Sequence, residues 1–398
     1  MTRKIIDLDS VQPNGMRGET QRPAFTKINE NFAEVYGALD GVNAIGQRVE
    51  LLEAAFKSAV PGRNRLINGN FDFWQRATTG TTQGGEIYVA DRWTAAALGC
   101  THTVNRGANL LAGGAAPESR RFLNSIVSGT RTGSSAYVAQ KVEGAATLSD
   151  GEVTVSGFAY GPVGKRIGIR LIQHFGTGGA PSAAVSVELG TVPVTAASWT
   201  YFQLSARLPS VKGKSLGSNA GSDFLWLVVD LCADAYGGVI SGQSGEFGIA
   251  MMQLERGIRA TAFDLRPLAQ ELQLCQRYYE KSYDDDVIPG TATNSGRYSW
   301  GNSAATGATT YVSVPFKTRK RVTPAIVVRP NNNVVDPGYV NQDDSSRTPA
   351  SVPTIATNVF EVAWGNAPGR WGDGSTGRRM QRSTDYPGRA RASSIHAE

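Results

Sequence analysis

The segment from Phe25 to Phe56 constrains this chain more than any other. Apolar residues recur there at alternating steps of three and four: Phe25, Ile28, Phe32, Val35, Leu39 and Val42. The phase slips at Gly46, and Ile45, Val49, Leu52 and Phe56 resume the stripe. So narrow a stripe predicts a helix that seeks a partner helix rather than a globular core. Nearly everything after it reads as β-structure, so the partner has to be another copy of the same segment. The expected plan is a parallel oligomer carrying β-domains in a row, the plan of a fibre. Three phenylalanines suit a core wider than a two-stranded seam. Burying about ten apolar side chains at ~1.5–3 kcal/mol each would hold a helix that is marginal alone. Two alternatives stay open. The helix could pack on the side of its own β-domain, or it could break near residues 41–46, because Gly37, Gly41 and Gly46 each weaken it by up to ~1 kcal/mol.

The rest of the chain divides by pattern. Residues 1–24 are polar and punctuated by Pro13, Gly15, Gly18 and Pro23, which reads as an extended arm ordered against a partner. The helix occupies 25–60 and ends at Pro61-Gly62. From 61 to 266 the period is two: 153–158, 167–171, 185–189 and 247–251 alternate, and Phe224 to Leu231 is nearly continuous apolar, as in a central strand buried on both faces. Many strands with no intervening helix predict a jelly-roll β-sandwich. Trp74, Trp93, Trp199 and Trp226 read as core or sheet-face residues. Leu268, Leu272, Cys275 and Tyr279 recur at helical spacing and mark a linking helix over 267–283. A distal β-domain over 284–370 follows, with alternation at 310–316, 325–328 and 359–364. Residues 371–398 carry Arg378, Arg379, Arg382, Arg389 and Arg391 with few large apolar residues, and read as a polar basic tail, disordered or extended on the surface. The fold class is therefore mainly β, with a coiled-coil-like helix in front.

Composition excludes several classes. The chain has 398 residues, of which 46 are Gly, and a net charge of only +6. Lys and Arg are scattered rather than clustered with aromatics, which argues against nucleic-acid binding. No run reaches the ~18 apolar residues of a membrane span, and residues 1–9 lack the apolar core of a signal peptide. Cys100, Cys232 and Cys275 are odd in number and far apart, so they are expected as buried free thiols rather than a disulfide or zinc framework.

Several segments resemble bacteriophage tail-fibre proteins. Gly18-Glu19-Thr20 followed by Lys27 to Tyr36 is similar to the virion-attachment end of such fibres. Asn64 to Arg76, followed by Ala90-Asp91-Arg92-Trp93, resembles the opening of their carbohydrate-binding-like jelly roll. Gln253 to Gly257, Phe263 to Arg266 and Leu274 to Tyr279 resemble the end of that module. The resemblance implies a homotrimeric fibre in the virion tail, made in the host cytoplasm. Residues 1–24 would dock on tail or baseplate proteins. The distal β-domain would bind bacterial surface polysaccharide or lipopolysaccharide. The last 28 or so residues depart from the aromatic-rich final strand of such tips.

No constellation predicts catalysis, a cofactor or a metal. His102, His174 and His396 lie in no ligand-spaced cluster. Gly213-Lys214-Ser215 matches the end of a phosphate-binding loop, but Leu208 stands where the first glycine is required. Asp284-Asp285-Asp286 could hold a hard cation but reads more simply as a solvated turn, as does Asp343-Asp344. Glycan binding needs aromatic platforms beside hydrogen-bonding side chains. The distal region offers Tyr298 and Trp300 beside Asn302, Tyr339 beside Asn341 and Gln342, and Trp364 beside Asn366. Each of these aromatics also fits a core or inter-subunit position. The expectation is a non-enzymatic fibre. The alternatives are a glycan-depolymerising tailspike and a structural collar or baseplate fibre without a receptor role.

Overall fold

The computed structural model describes residues 8–11, 13–17, 21–58, 62–108, 119–195, 199–293, 295–296, 298–300, 309–329, 338–341, 347–365 and 378–385. The chain divides into two units, 1–61 and 62–398. In the first, a bridge between Val11 and Arg17 closes a turn at Gly15, and α1 runs from Gln21 to Ser58. It starts ahead of the predicted Phe25, with Pro23 in the first turn, where a missing N–H leaves no hydrogen bond unmade. It does not break at 41–46. Glycine lowers helix propensity but keeps its N–H, so the ladder passes through all three glycines. Phe25, Phe32, Val35, Leu39, Val42 and Ile45 are exposed along it, and Ile28 is half-buried. The side chains of Val49, Leu52 and Phe56 lie outside the described residues. No helix among the described residues is long and apolar enough to cross a membrane.

The second unit begins with a β-sandwich. Its strands are β1 (Thr79–Tyr88), β2 (Thr94–Ala108), β3 (Arg121–Ser128), β4 (Ser135–Glu143), β5 (Gly151–Tyr160), β6 (Arg166–His174), β7 (Val185–Pro193), β8 (Thr200–Leu208), β9 (Phe224–Cys232) and β10 (Gly245–Arg256). They pair antiparallel in the order β7-β6-β9-β4-β2-β3-β10-β5-β8, with β1 on the free edge of β2. The first half of β2, Thr94 to Leu98, pairs with β4, and the second half, Thr101 to Ala108, pairs with β3. Gly99 sits between them at φ +67°. The strand order thus splits at β2 into two sheets, and their inward residues meet in one core. Leu171, Leu227, Val229 and Val138 come from the first sheet. Leu123, Val155, Phe202 and Ile249 come from the second. β9 is buried along nearly its whole length, as its apolar run predicts.

The sandwich is closed by a buried polar clasp built from the segments 64–76, 90–93 and 252–271. Asn64 Oδ1 accepts from the N–H groups of Leu66 (3.0 Å) and Leu254 (3.1 Å), and its Nδ2 donates to the Met252 carbonyl (3.0 Å). Asn68 is fully buried at φ 56°, a conformation asparagine tolerates better than most residues. Its Nδ2 donates to the carbonyls of Phe73 (2.9 Å) and Asp91 (3.0 Å), and its Oδ1 accepts from the Phe73 N–H (3.1 Å). The Asn68 N–H donates to Glu271, and Arg266 bridges Glu271 (3.1 Å) and the Leu66 carbonyl (3.0 Å). Next to Asn68 only glycine fits, because a Cβ at Gly69 would collide with the Met252 carbonyl oxygen.

After the sandwich, α2 spans Leu268–Gln276. It is shorter than the 267–283 helix expected from sequence. The chain turns out at Arg277, which pairs with Glu143 (3.1 Å), and Glu280–Lys281 already form strand β11. Eight strands build the distal region: β11, β12 (Tyr298–Trp300), β13 (Thr309–Pro315), β14 (Ala325–Arg329), β15 (Tyr339–Asn341), β16 (Arg347–Ser351), β17 (Val359–Gly365) and β18 (Arg378–Asp385). Val314, Val328, Phe360, Val362 and Trp364 form their core. Residues 378–385 fall within the expected polar tail, yet β18 pairs with β11, β12, β14 and β15. A ladder is made by main-chain groups, so a strand can form without the apolar residues that sequence reading looks for. A buried ion pair, Lys320–Glu280 (2.6 Å), and the Lys320 Nζ hydrogen bond to the Gln276 carbonyl anchor this region to the end of α2. All three cysteines are buried and free.

Asn68→Ala is expected to lower unfolding stability by roughly 3 kcal/mol, because it strips buried main-chain groups of their partners. Gly69→Ala is expected to cost ~1–3 kcal/mol through the clash with Met252. Urea unfolding midpoints at constant slope check both, and midpoints equal to that of the parent chain would contradict the clasp.

Candidate functional site

The two outer faces of the sandwich differ in chemistry. On the first sheet the outward side chains are engaged with one another. Lys141 pairs with Glu86 (3.0 Å), and Arg170 pairs with the fully buried Asp230 (2.8 Å). The Tyr236 hydroxyl also donates to Asp230 (2.8 Å), and its ring fills the space over Gly168. Burial raises the Asp230 carboxyl above its ordinary value, opposed by the Arg170 charge and the Tyr236 hydrogen bond. Tyr137 meets Trp226 edge-on at 5.6 Å, and His174 stacks on Phe224 at 4.5 Å. Glu143, at the rim, is held by Arg277 (3.1 Å) and Arg321 (3.5 Å). Other segments of the chain reach this face at Gly168, through Tyr236, and at Glu143, through Arg277 and Arg321.

On the second sheet the outward aromatic side chains are half-buried or exposed among the described residues. Strict alternation sends Val153, Val155 and Ala159 of β5 inward and Ser156, Phe158 and Tyr160 outward. Likewise β3 turns Phe122, Asn124 and Ile126 outward, and β8 turns Tyr201 and Gln203 outward. Phe122, Tyr160 and Trp199 form a triangle of edge-on contacts, with centroids 5.8 Å (Phe122–Tyr160), 5.1 Å (Phe122–Trp199) and 4.9 Å (Tyr160–Trp199) apart. Phe158 and Tyr201 form a second pair at 5.4 Å.

Local backbone explains why these rings lie on the sheet. Phe122 is registered opposite Gly107, and Tyr160 opposite Gly248. In each case the ring occupies the space a Cβ would take. A bulge in β10 between Ala250 and Gln253, with Met251 at φ 50°, pushes Ala250 and Met251 under Phe122, Phe158, Trp199 and Phe263. Bulges that re-aim side chains are frequent beside binding sites.

Hydrogen-bonding rows adjoin the rings. Thr79 donates to Asn105 (2.7 Å), and Thr81 and Thr103 share a hydroxyl pair (2.9 Å). The Tyr160 hydroxyl donates to Asn124 Oδ1 (2.7 Å), and Asn124 Nδ2 donates to Glu246 (2.9 Å). Glu246 is exposed beside Asn124 and Tyr160, and other charged residues described on this sheet lie toward its ends, with Arg120 ahead of Phe122, and Glu152 with Arg207 on β5 and β8. Burial, and then the Glu246 carboxylate, raise the Tyr160 phenol far above its ordinary value, so it stays a neutral hydroxyl. Rings for the apolar faces of sugars, beside amides and hydroxyls for their hydroxyl groups, are the chemistry of carbohydrate recognition.

Sequence reading placed the glycan candidates distally, and for most of them the side chains lie outside the described residues. Trp364 is 2% exposed and belongs to the distal core, so it cannot serve as a platform. Its strand alternation was legible, but which face of that strand points inward was not. Tyr298 packs against the same core. Trp300, Tyr339 and Asn341 lie on β12 and β15, with side chains outside the described residues. Asn302, Gln342 and Asn366 lie outside the described residues altogether. Asp286 of the acidic run pairs with Arg106 (3.2 Å) and Arg121 (3.4 Å). Among the described residues no group of His, Cys, Asp or Glu is arranged to hold a metal. The aromatic residues of the second-sheet face that sequence reading did not single out are Phe122, Phe158, Tyr160 and Tyr201. Their signal is aromatic residues out of phase with the aliphatic ones in the same strand. Trp74 and Trp93 are core residues, whereas Trp199 and Trp226 lie half-buried on the sheet faces.

No family model and no curated protein matches the sequence. Among solved structures, the chain is similar to the enzymatically active domain of tailspike protein 4 of bacteriophage CBA120, at 13% identity and a TM-score of 0.29, over 50% of this chain and 22% of that one. It is also similar to the CBM22-2 xylan-binding domain of Xyn10C from Paenibacillus barcinonensis, at 14% identity and a TM-score of 0.29, over 48% of this chain and 97% of that one. The family 11 carbohydrate-binding module of the cellulase Lic26A-Cel5E from Clostridium thermocellum aligns at 10% identity and a TM-score of 0.26, over 44% of this chain and 98% of that one. Overlaps of this extent carry no argument about ligand or activity, and the chain spans less than a quarter of the tailspike chain.

The raised Tyr160 phenol has a measurable consequence. The folded chain keeps this proton above pH ~10, where the unfolded chain loses it. Its contribution to stability is therefore complete below that pH and is lost as pH rises beyond it. In ultraviolet difference titration of the folded protein, Tyr160→Phe is expected to leave the alkaline tyrosinate step unchanged. A step smaller by one tyrosine would contradict the assigned environment.

Proposed function

We propose that this chain is a non-enzymatic, homotrimeric tail fibre of a phage or phage-like particle, and that it binds a glycan of the bacterial surface, a polysaccharide or lipopolysaccharide. In this reading residues 1–24 dock on the tail or baseplate and α1 brings three copies together. The outer face of the second sheet contacts the sugar. The observation that carries the binding role is the Phe122–Tyr160–Trp199 triangle beside the hydrogen-bonding rows of Thr79, Thr81, Thr103, Asn105 and Asn124. The stripe from Phe25 to Ile45, exposed on the single chain, supports self-association. The non-enzymatic part of this reading rests on the sequence, in which no catalytic constellation is recognised. Three weak sites per fibre, and several fibres per particle, would gain their strength from avidity.

Three measurements test the parts separately. Analytical ultracentrifugation is expected to give three times the 42.3 kDa of the chain, and a species near 42.3 kDa would overturn the trimer. Trp199→Ala and Phe122→Ala, with unchanged thermal midpoints, are expected to weaken adsorption to purified host lipopolysaccharide about tenfold, the equivalent of ~1.4 kcal/mol. Wild-type adsorption by both folded variants would overturn the site. Incubation with host polysaccharide is expected to release no reducing ends, and release would make the chain a depolymerase.

A further inference from the structure

We propose that Glu246, positioned by Asn124 and Tyr160, makes the second-sheet face select uncharged glycans over acidic ones. The inference rests on the glycan-binding reading and adds the class of sugar.

The side chains form an ordered chain of hydrogen bonds. Tyr160 lends its single proton to Asn124 Oδ1 at 2.7 Å, and the phenol oxygen stands 3.4 Å from Glu246 Oε1. Asn124 Nδ2 donates to the same Glu246 Oε1 at 2.9 Å. Both ends of the Asn124 amide are therefore used, which fixes its orientation and holds one carboxylate oxygen. The other oxygen, Oε2, has no hydrogen-bond partner among the described residues, and Glu246 is exposed. A ligand resting on the ring triangle meets a fixed, charged acceptor that can take hydrogen bonds only from hydroxyl or amide donors. Of the arginines at the margins, Arg106 and Arg121 pair with Asp286 and Arg207 with Asp150 at 2.9 Å, while Arg120 is exposed ahead of Phe122, at the end of the outward row Phe122-Asn124-Ile126 away from Glu246. A uronate, sialate or phosphate group placed beside Glu246 would meet a like charge, and like charges at close range repel. Tyr160 is positioned over Gly248 by its strand register, so the whole arrangement is set by the sheet rather than by a loop.

The test uses the full chain on an array of neutral glycans printed beside their uronate-containing and sialylated counterparts. The parent protein is expected to bind neutral members and to bind acidic counterparts at least tenfold less well. Glu246→Gln is expected to weaken neutral binding about tenfold and to bring the neutral-to-acidic ratio close to one. The inference is overturned if the parent prefers acidic glycans. It is also overturned if Glu246→Gln leaves the ratio unchanged while Trp199→Ala abolishes binding, and in that case the glycan-binding reading stands. Should the parent bind nothing on the array and adsorb to no host lipopolysaccharide, the glycan-binding reading itself fails.

Discussion

The sandwich depends on a polar clasp that joins its first and last segments. Asn64 and Asn68 stand where the chain enters the core, and each spends its amide on main-chain groups that no strand ladder satisfies. A buried polar group without a partner costs far more than a made hydrogen bond returns, so these contacts act together or not at all. Arg266 and Glu271 extend the clasp to the start of α2, and Arg277 and Lys320 carry the connection onward to the distal strands. The same clasp holds Met252 against Gly69, directly beside the bulge at Met251. The aromatic face of the second sheet is built on that bulge, so the geometry of the candidate site follows from how the module is closed.

The two outer faces illustrate how one topology produces different surfaces. Charged residues opposite one another on the first sheet find partners across strands, and Tyr236 folds back over Gly168. On the second sheet, glycines at Gly107 and Gly248 let rings lie across the neighbouring strand, and polar rows of threonine and asparagine run beside them. A stack of rings on a two-sided sheet holds its geometry with little conformational freedom, which favours weak but repeated contacts with a polymer.

Much of the fold was legible in the sequence because it is carried by local signals. The period-two runs at 153–158 and 167–171 became β5 and β6, and the apolar run at 224–231 became a strand buried along nearly its whole length. The segments that resemble the module's opening and exit are the ones that meet in the clasp. The site was less legible, because alternation shows that a strand has two faces but not which one is inside. In β17 the inner face takes Trp364, whereas in β5 the small residues go inward and Phe158 and Tyr160 go outward. Strand β18 left no apolar pattern, since its pairing rests on main-chain groups. Helix weakening by glycine is at most about 1 kcal/mol per residue, and α1 runs uninterrupted through Gly37, Gly41 and Gly46.

The most direct test of a glycan-binding second sheet is an experimental structure of the full chain with a bound oligosaccharide from the host surface. The predicted result is a sugar ring in van der Waals contact with Trp199, Phe122 or Tyr160 and a sugar hydroxyl donating to Glu246. A sugar seated instead on the distal strands, or against Trp226 and Arg170 on the first sheet, would contradict it.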